Sequence, residues 1–143
     1  MTDPTGLYQV AENEHIDIDC FDLASREALS IMDNTGDCHI AVNPFKLTSY
    51  ADEKTKLAHE LGHCVTGSFY NRWASCDVRQ RHENRADKWA VHHLITANDL
   101  DAAVAQGHAD IWDLAEHFGV TEDFMRKAVC FYAYGNLSTE LYF

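Results

Sequence analysis

The sequence is poor in cations, in proline and in long apolar runs, and each shortage excludes something. Eleven Lys and Arg stand against 23 Asp and Glu, a formal net charge of −12. Such a chain repels phosphate backbones, so no direct contact with nucleic acid is expected. Only two prolines occur and hydrophobic residues make up 46%, which argues against a disordered or linker-rich chain. The apolar runs fall far short of the ~20 residues a membrane helix needs. The N-terminal Met1-Thr2-Asp3-Pro4 has neither the basic nor the apolar region of an export signal. A soluble, cytoplasmic protein is therefore expected, with no membrane partner. Five cysteines, Cys20, Cys38, Cys64, Cys76 and Cys130, never form a C-x-x-C pair. Neither a disulfide framework nor a cysteine metal site is suggested, and reduced thiols are expected.

What remains is ordinary globular sequence, and 143 residues suit one domain, 1–143, with its own core. Helical spacing of Leu7, Val10 and Ala11 predicts a first helix within residues 4–13. Ile16, Ile18 and Cys20 alternate with acids and predict a half-buried strand. Residues 28–33 and 38–43 flank Asn34-Thr35-Gly36-Asp37 and read as a hairpin ended by Pro44, ahead of a competing helix over 25–32. Ser49 with Asp52 opens a helix that runs to Thr66 before Gly67. After a loop over 67–79, a second long helix is expected over 80–95. Asn98 or Asp99 would cap a short helix ending near Gly107. Residues 110–118, stopped by Gly119, and 121–134 form the last two helices. The tail 135–143 is expected to be loosely held.

The first long helix contains His59-Glu60-Leu61-Gly62-His63. On a helix this H-E-x-x-H run is the pattern in which two histidines bind zinc and the glutamate is the general base. Histidines four apart differ by about 40° and ~6 Å of rise, so both rings can reach one ion at the ~2.0–2.1 Å of a Zn–N bond. Leu57, Leu61 and Cys64 form an apolar stripe, and both histidines face away from it. With nine histidines in the chain the run alone is suggestive, and a third ligand is needed. Glu83 and Asp87, one turn apart, fall on the side of the next long helix that carries Ala86, Ala90 and Leu94. Carboxylates on such a face are costly unless paired or metal-bound. Glu83 is thus the expected third ligand. Asp87 is expected to accept the free ring N–H of His59 or His63 and so orient it.

His59 to His63 followed by Glu83-Asn84-Arg85-Ala86-Asp87-Lys88-Trp89-Ala90 resembles the paired H-E-L-G-H and E-x-x-A-[ND]-x-[FW]-A motifs of the ImmA/IrrE metallo-endopeptidases. These share the two-helix zinc site of the gluzincins. Ile40-Ala41-Val42-Asn43-Pro44 is similar to the family's apolar strand before the metal helix. Leu114 to Thr121 is similar to its L-A-x-x-F-G-V-S segment. The resemblance implies zinc on His59, His63 and Glu83, with Glu60 as the base. It also implies cleavage of a helix-turn-helix repressor that silences a prophage, a mobile element or a stress regulon. The fused helix-turn-helix domain of many relatives is missing, so the repressor would be a separate chain. The familiar run of Arg and aromatic residues after Val120 is replaced by Arg126-Lys127-Ala128.

The expected fold is therefore α+β, a small three-stranded sheet packed on a helical body with zinc between two helices. Hydrolysis would run with Glu60 taking a proton from the attacking water and passing it to the leaving amine. An oxyanion donor is also required, and Tyr70, His93, His117, Tyr132 and Tyr134 are all chemically able. An extended substrate would add to an edge strand near residues 40–43. The main competing reading is a zinc-stabilised protein that sequesters a repressor without cutting it, although a structural zinc needs no base. Residues 110–129 can also be read as a DNA-binding helix-turn-helix, but only Arg126 and Lys127 are basic there. Mn²⁺ or Co²⁺ would suit the ligands as well as Zn²⁺.

Overall fold

A computed structural model describes residues 4–71 and 73–142. The N-terminal Met1 to Asp3, Arg72 in the central loop and Phe143 at the end of the tail lie outside it. The described chain is α+β. Helix α1 (Thr5–Asn13) leads into β1 (Asp17–Cys20), β2 (Ala28–Met32) and β3 (Cys38–Val42). The helical body follows as α2 (Tyr50–Thr66), α3 (Cys76–Leu94), α4 (Ala97–Ala105), α5 (Ile111–Phe118) and α6 (Glu122–Tyr134), with a last 3₁₀ turn at Ser138–Tyr142.

The strand order is β1-β3-β2. The hairpin forms where the Asn34 to Asp37 connector predicts it, with Gly36 at φ 89, a backbone angle that suits glycine. Strand β3 is central, parallel to β1 and antiparallel to β2. Its neighbours cover both its edges, so the expected docking of a substrate along residues 40–43 is excluded. The free edge beside α2 belongs to β2. Asn43 N–H donates to Glu27 O at 2.8 Å and Asp33 N–H to Asp37 O at 2.8 Å. In this alternating ladder the main-chain groups of Leu29 and Ile31 face β3, and those of Ala28, Ser30 and Met32 face outward.

Helix α2 begins at the expected cap, where Ser49 Oγ accepts from Asp52 N–H at 3.1 Å. It ends on Gly67 in the left-handed region at φ 67. Its inner stripe, Leu57 and Leu61, is fully buried with Ile40 and Val42 of β3. Lys54, also buried, donates to Phe118 O at 2.7 Å, and Thr55 Oγ1 accepts from Thr121 N–H at 3.2 Å. The segment around Gly119 is thus fastened to the metal-motif helix.

The closest approach is between α2 and α3. A Cβ on Gly62 would overlap the Ala86 carbonyl and stand 3.0 Å from Ala86 Cα. Glycine and alanine therefore let two backbones touch at the point from which His59, His63 and Glu83 project.

Several expectations are corrected. Helix α3 starts at Cys76, one turn before 80. Its first turn carries Asp77 and Arg79 and has no apolar period to announce it. Helix α4 is capped by Thr96, whose hydroxyl accepts from Asp99 N–H at 3.1 Å. Cys38 and Cys64 are joined in a disulfide with Cα atoms 5.9 Å apart, so these two thiols are not reduced. The tail is docked on α3. Leu137 is buried, Thr139 Oγ1 donates to Asn84 Oδ1 at 2.5 Å, and Lys88 pairs with Glu140.

Replacing Gly62 by Ala is expected to force the two helices apart at a cost of about 1–3 kcal/mol. Urea unfolding of the variant would measure it, and an unchanged midpoint would show that the contact does not constrain the helices.

Candidate metal centre

Helices α2 and α3 bring His59, His63 and Glu83 together, with one ligand atom of each lying within 4.8 Å of the others. The two Nε2 atoms are 3.1 Å apart. Glu83 Oε2 lies 2.7 Å from His59 Nε2 and 3.3 Å from His63 Nε2.

The opposite ring nitrogens settle what this convergence means. His63 Nδ1 faces the carbonyl of buried Ser68 at 2.5 Å. A carbonyl only accepts, so the proton sits on Nδ1 and Nε2 offers a lone pair. His59 Nδ1 lies 2.7 Å from Asp87 Oδ1, and the same reasoning points its lone pair inward. With both rings neutral, two lone pairs and a carboxylate converge on one point, which either a proton or a cation can occupy. The donor set, two imidazoles and one carboxylate, is that of a catalytic zinc with a fourth position left open. The residues fit a divalent cation.

The electrostatics agree. Burial alone would lower the His59 pKa, but Asp87 and Glu83 outweigh it and push it up to about 10. His63 is raised too, with Glu83 and the Ser68 carbonyl overcoming burial. Burial raises the carboxyls of Glu83 and Asp87, but His59 and His63 at Glu83, and His59 with Lys127 at Asp87, overturn it and hold both below their ordinary values. The site selects positive charge, and a proton competes with a metal for it.

Each supporting contact has a local cause. Gly67 reverses the chain so that Ser68 N–H donates to His63 O at 2.9 Å while its own carbonyl meets the His63 ring. Asp87 is only 7% exposed, and its second oxygen accepts from Lys127 Nζ of α6 at 3.1 Å. Glu60 projects beside the centre, where Ser30 Oγ of β2 donates to its Oε2 at 2.6 Å. Tyr70 OH donates to Glu83 Oε1 at 2.7 Å, and burial first, then Glu83, pushes the phenol up to about 12.

Two hollows meet at these ligands. A cleft of about 400 Å³ runs along β2 past Ser30, Glu60, His63, Tyr70 and Glu83. A wider one of about 830 Å³ lies between α2, α3 and α6, past His59, Glu83, Asp87 and Lys127.

All five residues singled out from the sequence thus gather here, and Asp87 pairs with His59. Among the proposed oxyanion donors only Tyr70 lines either hollow. Tyr132 OH is committed to Ile95 O at 2.5 Å, His93 stacks on Trp89 and Tyr134 is exposed. His117 lies against His108. Ser30, Ser68 and Lys127 were missed. Gly67 after the helix was a usable signal for Ser68, whereas Ser30 and Lys127 depend on tertiary packing. Phe124, Met125 and Ala128 of α6 are buried, so the inner face of that helix is packed in the core. Among the described residues no helix is long and apolar enough to cross a membrane.

The family model described as the IrrE N-terminal-like domain, a peptidase family, matches residues 40–129. The match begins in β3 and ends in α6, so it encloses every residue of the centre except Ser30. No curated protein gives a significant match.

Asp87→Ala is expected to weaken metal binding by about 10–100-fold, measured by competition with a chromogenic chelator. Because His59 keeps its proton up to about pH 10 in the metal-free protein, metal must displace that proton. Apparent affinity should therefore rise with pH through the neutral range. A flat profile would show that the His59 ring is not a ligand.

Proposed function

From the chain's membership of the IrrE N-terminal-like peptidase family, we propose that it is a zinc-dependent endopeptidase acting on a protein substrate. The substrate we favour is a helix-turn-helix repressor made as a separate chain, cut at a specific site to derepress a prophage, a mobile element or a stress regulon. The observation that carries the catalytic reading is Glu60. Its carboxylate stands beside the ligand cluster at the head of an open cleft, and among the described residues its hydrogen bond is to the hydroxyl of Ser30. A purely structural metal site has no use for such a base.

When bound, zinc on His59, His63 and Glu83 would supply Lewis acidity to water and to the scissile carbonyl. Ser30 aims the Glu60 carboxylate, which takes the proton of the attacking water and passes it to the leaving amine. Asp87, held by Lys127, keeps the His59 ring in one tautomer and orientation. Tyr70, protonated at any physiological pH, supplies a hydroxyl within the cleft that can turn from Glu83 to the developing oxyanion. The outward main-chain groups of Ala28, Ser30 and Met32 give an extended peptide a ladder to join. A repressor substrate places the reaction in the cytoplasm. There the Cys38–Cys64 bond would face a reducing thiol pool, with Cys38 only 8% exposed.

The test is incubation of the zinc-loaded protein with the helix-turn-helix protein encoded beside it, followed by mass spectrometry of the products. Wild type should give one cut and Glu60→Gln none; cutting by both would reject the role of Glu60, and by neither this choice of substrate. Tyr70→Phe should lose about 10²–10³ in kcat with metal retained, and full activity would remove Tyr70 from the mechanism. Ala28→Pro deletes an outward N–H without touching the sheet ladder. It should lower kcat/KM at unchanged metal content, and unaltered turnover would sink docking on β2.

A further inference from the structure

The charge of the β2 cleft is unlike that of the chain around it. The protein as a whole carries −12, yet the cleft is lined by two guanidinium groups, Arg26 and Arg79. Its carboxylates are already engaged, Glu60 by Ser30 and Glu83 by His59, His63 and Tyr70. Arg79 is engaged as well, with Nε donating to Ala74 O at 3.0 Å. Arg26 differs. Among the described residues its side chain has no ion pair or hydrogen bond, and it stands exposed in the wall of the cleft. The neighbouring acid, Glu27, is taken by Lys56 at 2.9 Å.

The backbone beneath Arg26 is held firmly. Its N–H donates to Leu23 O at 3.2 Å, and its carbonyl accepts from Asn43 Nδ2 at 3.0 Å. Asn43 is fully buried, and it also donates to Ala24 O at 3.3 Å, where Ala24 adopts φ 58. The buried asparagine before Pro44 therefore serves to fix the turn that presents Arg26 at the head of the edge strand. An arginine whose main chain is fixed on both sides, and whose planar fork lacks a partner among the described residues, is available to a carboxylate that enters the cleft.

We propose that Arg26 is a specificity-determining residue that binds a carboxylate of the substrate peptide, carried by an Asp or Glu side chain or by a free C-terminus. The inference rests on the peptidase reading and deepens it. Ser30, which marks the position of Glu60, is four residues along the chain from Arg26, about 13 Å in extended conformation. The long arginine side chain reaches back over part of that span. The recognised carboxylate therefore lies a few residues from the scissile bond, on a substrate running along β2.

The experiment uses binding, so that it does not depend on turnover. Zinc-loaded Glu60→Gln protein is titrated with three matched sets of short labelled peptides. One set is neutral with both ends blocked, one carries a single Glu stepped along the same blocked peptide, and one is neutral with a free C-terminus. Binding about tenfold tighter is expected for the Glu peptides in one register, for the free C-terminus, or for both, and the pattern identifies the source of the carboxylate. Adding Arg26→Ala should bring the ratio to about one, and Arg26→Lys should restore part of it. Equal behaviour of the three sets, or a preference that survives Arg26→Ala and so belongs to the metal, overturns the proposal. Cleavage by the wild-type protein is scored separately. Cutting without carboxylate preference leaves the peptidase reading standing and rejects Arg26. An Arg26-dependent preference without cutting does the reverse.

Discussion

Two helical backbones in contact at Gly62 and Ala86 set the scale of everything built around them. Histidine and glutamate side chains are short, and three of them can meet at one point only if the helices that carry them lie closer than ordinary core side chains allow. A side chain at Gly62 would meet the Ala86 backbone and push the two helices apart. The apolar stripe of α2 packs on β3 and secures one side of this contact, and the link between α5 and α6, held at Lys54 and Thr55, secures another. The surrounding fold can be read as the set of supports that keeps these two helices in register.

With its rings neutral the cluster gathers two inward lone pairs and a carboxylate, an arrangement that a proton on His59 or a cation completes, and groups outside the centre hold it in place. Asp87 and the Ser68 carbonyl fix the rings, Lys127 compensates Asp87, and Tyr70 hydrogen-bonds Glu83. Each of these contacts crosses from one element to another. The fold thus stores an arrangement that favours a cation, and the upward shift of His59 is its electrostatic signature.

Much of this was legible in the sequence because it is local. The H-E-x-x-H spacing, the Ser49 and Gly67 boundaries and the Asn34 to Asp37 turn each depend on a few neighbouring residues, and each appears in the structure where expected. Glu83 and Asp87 were legible for a different reason, since carboxylates on an Ala-rich helix face need partners. What escaped depends on order in space. Periodicity does not say which strand is central, so β3 was given an edge that β2 possesses. Cysteine spacing does not show that Cys38 and Cys64 face each other across a strand and a helix. The first turn of α3 was read as loop because Ser75 gives no side-chain cap and instead donates to Asp77 Oδ1 at 2.6 Å.

The Cys38–Cys64 bond divides the candidate ligands in a way that matters when the chain unfolds. It closes residues 38–64 into a covalent ring, and His59 and His63 lie inside it while Glu83 lies outside. In an unfolded but oxidised chain the two histidines, four residues apart, remain neighbours beside the ring closure, while the carboxylate is free to wander off. A cation bound by all three would act as a second clasp, fastening α3 to a ring that is already closed. The stability it lends would measure the docking of one helix and not the assembly of the whole centre.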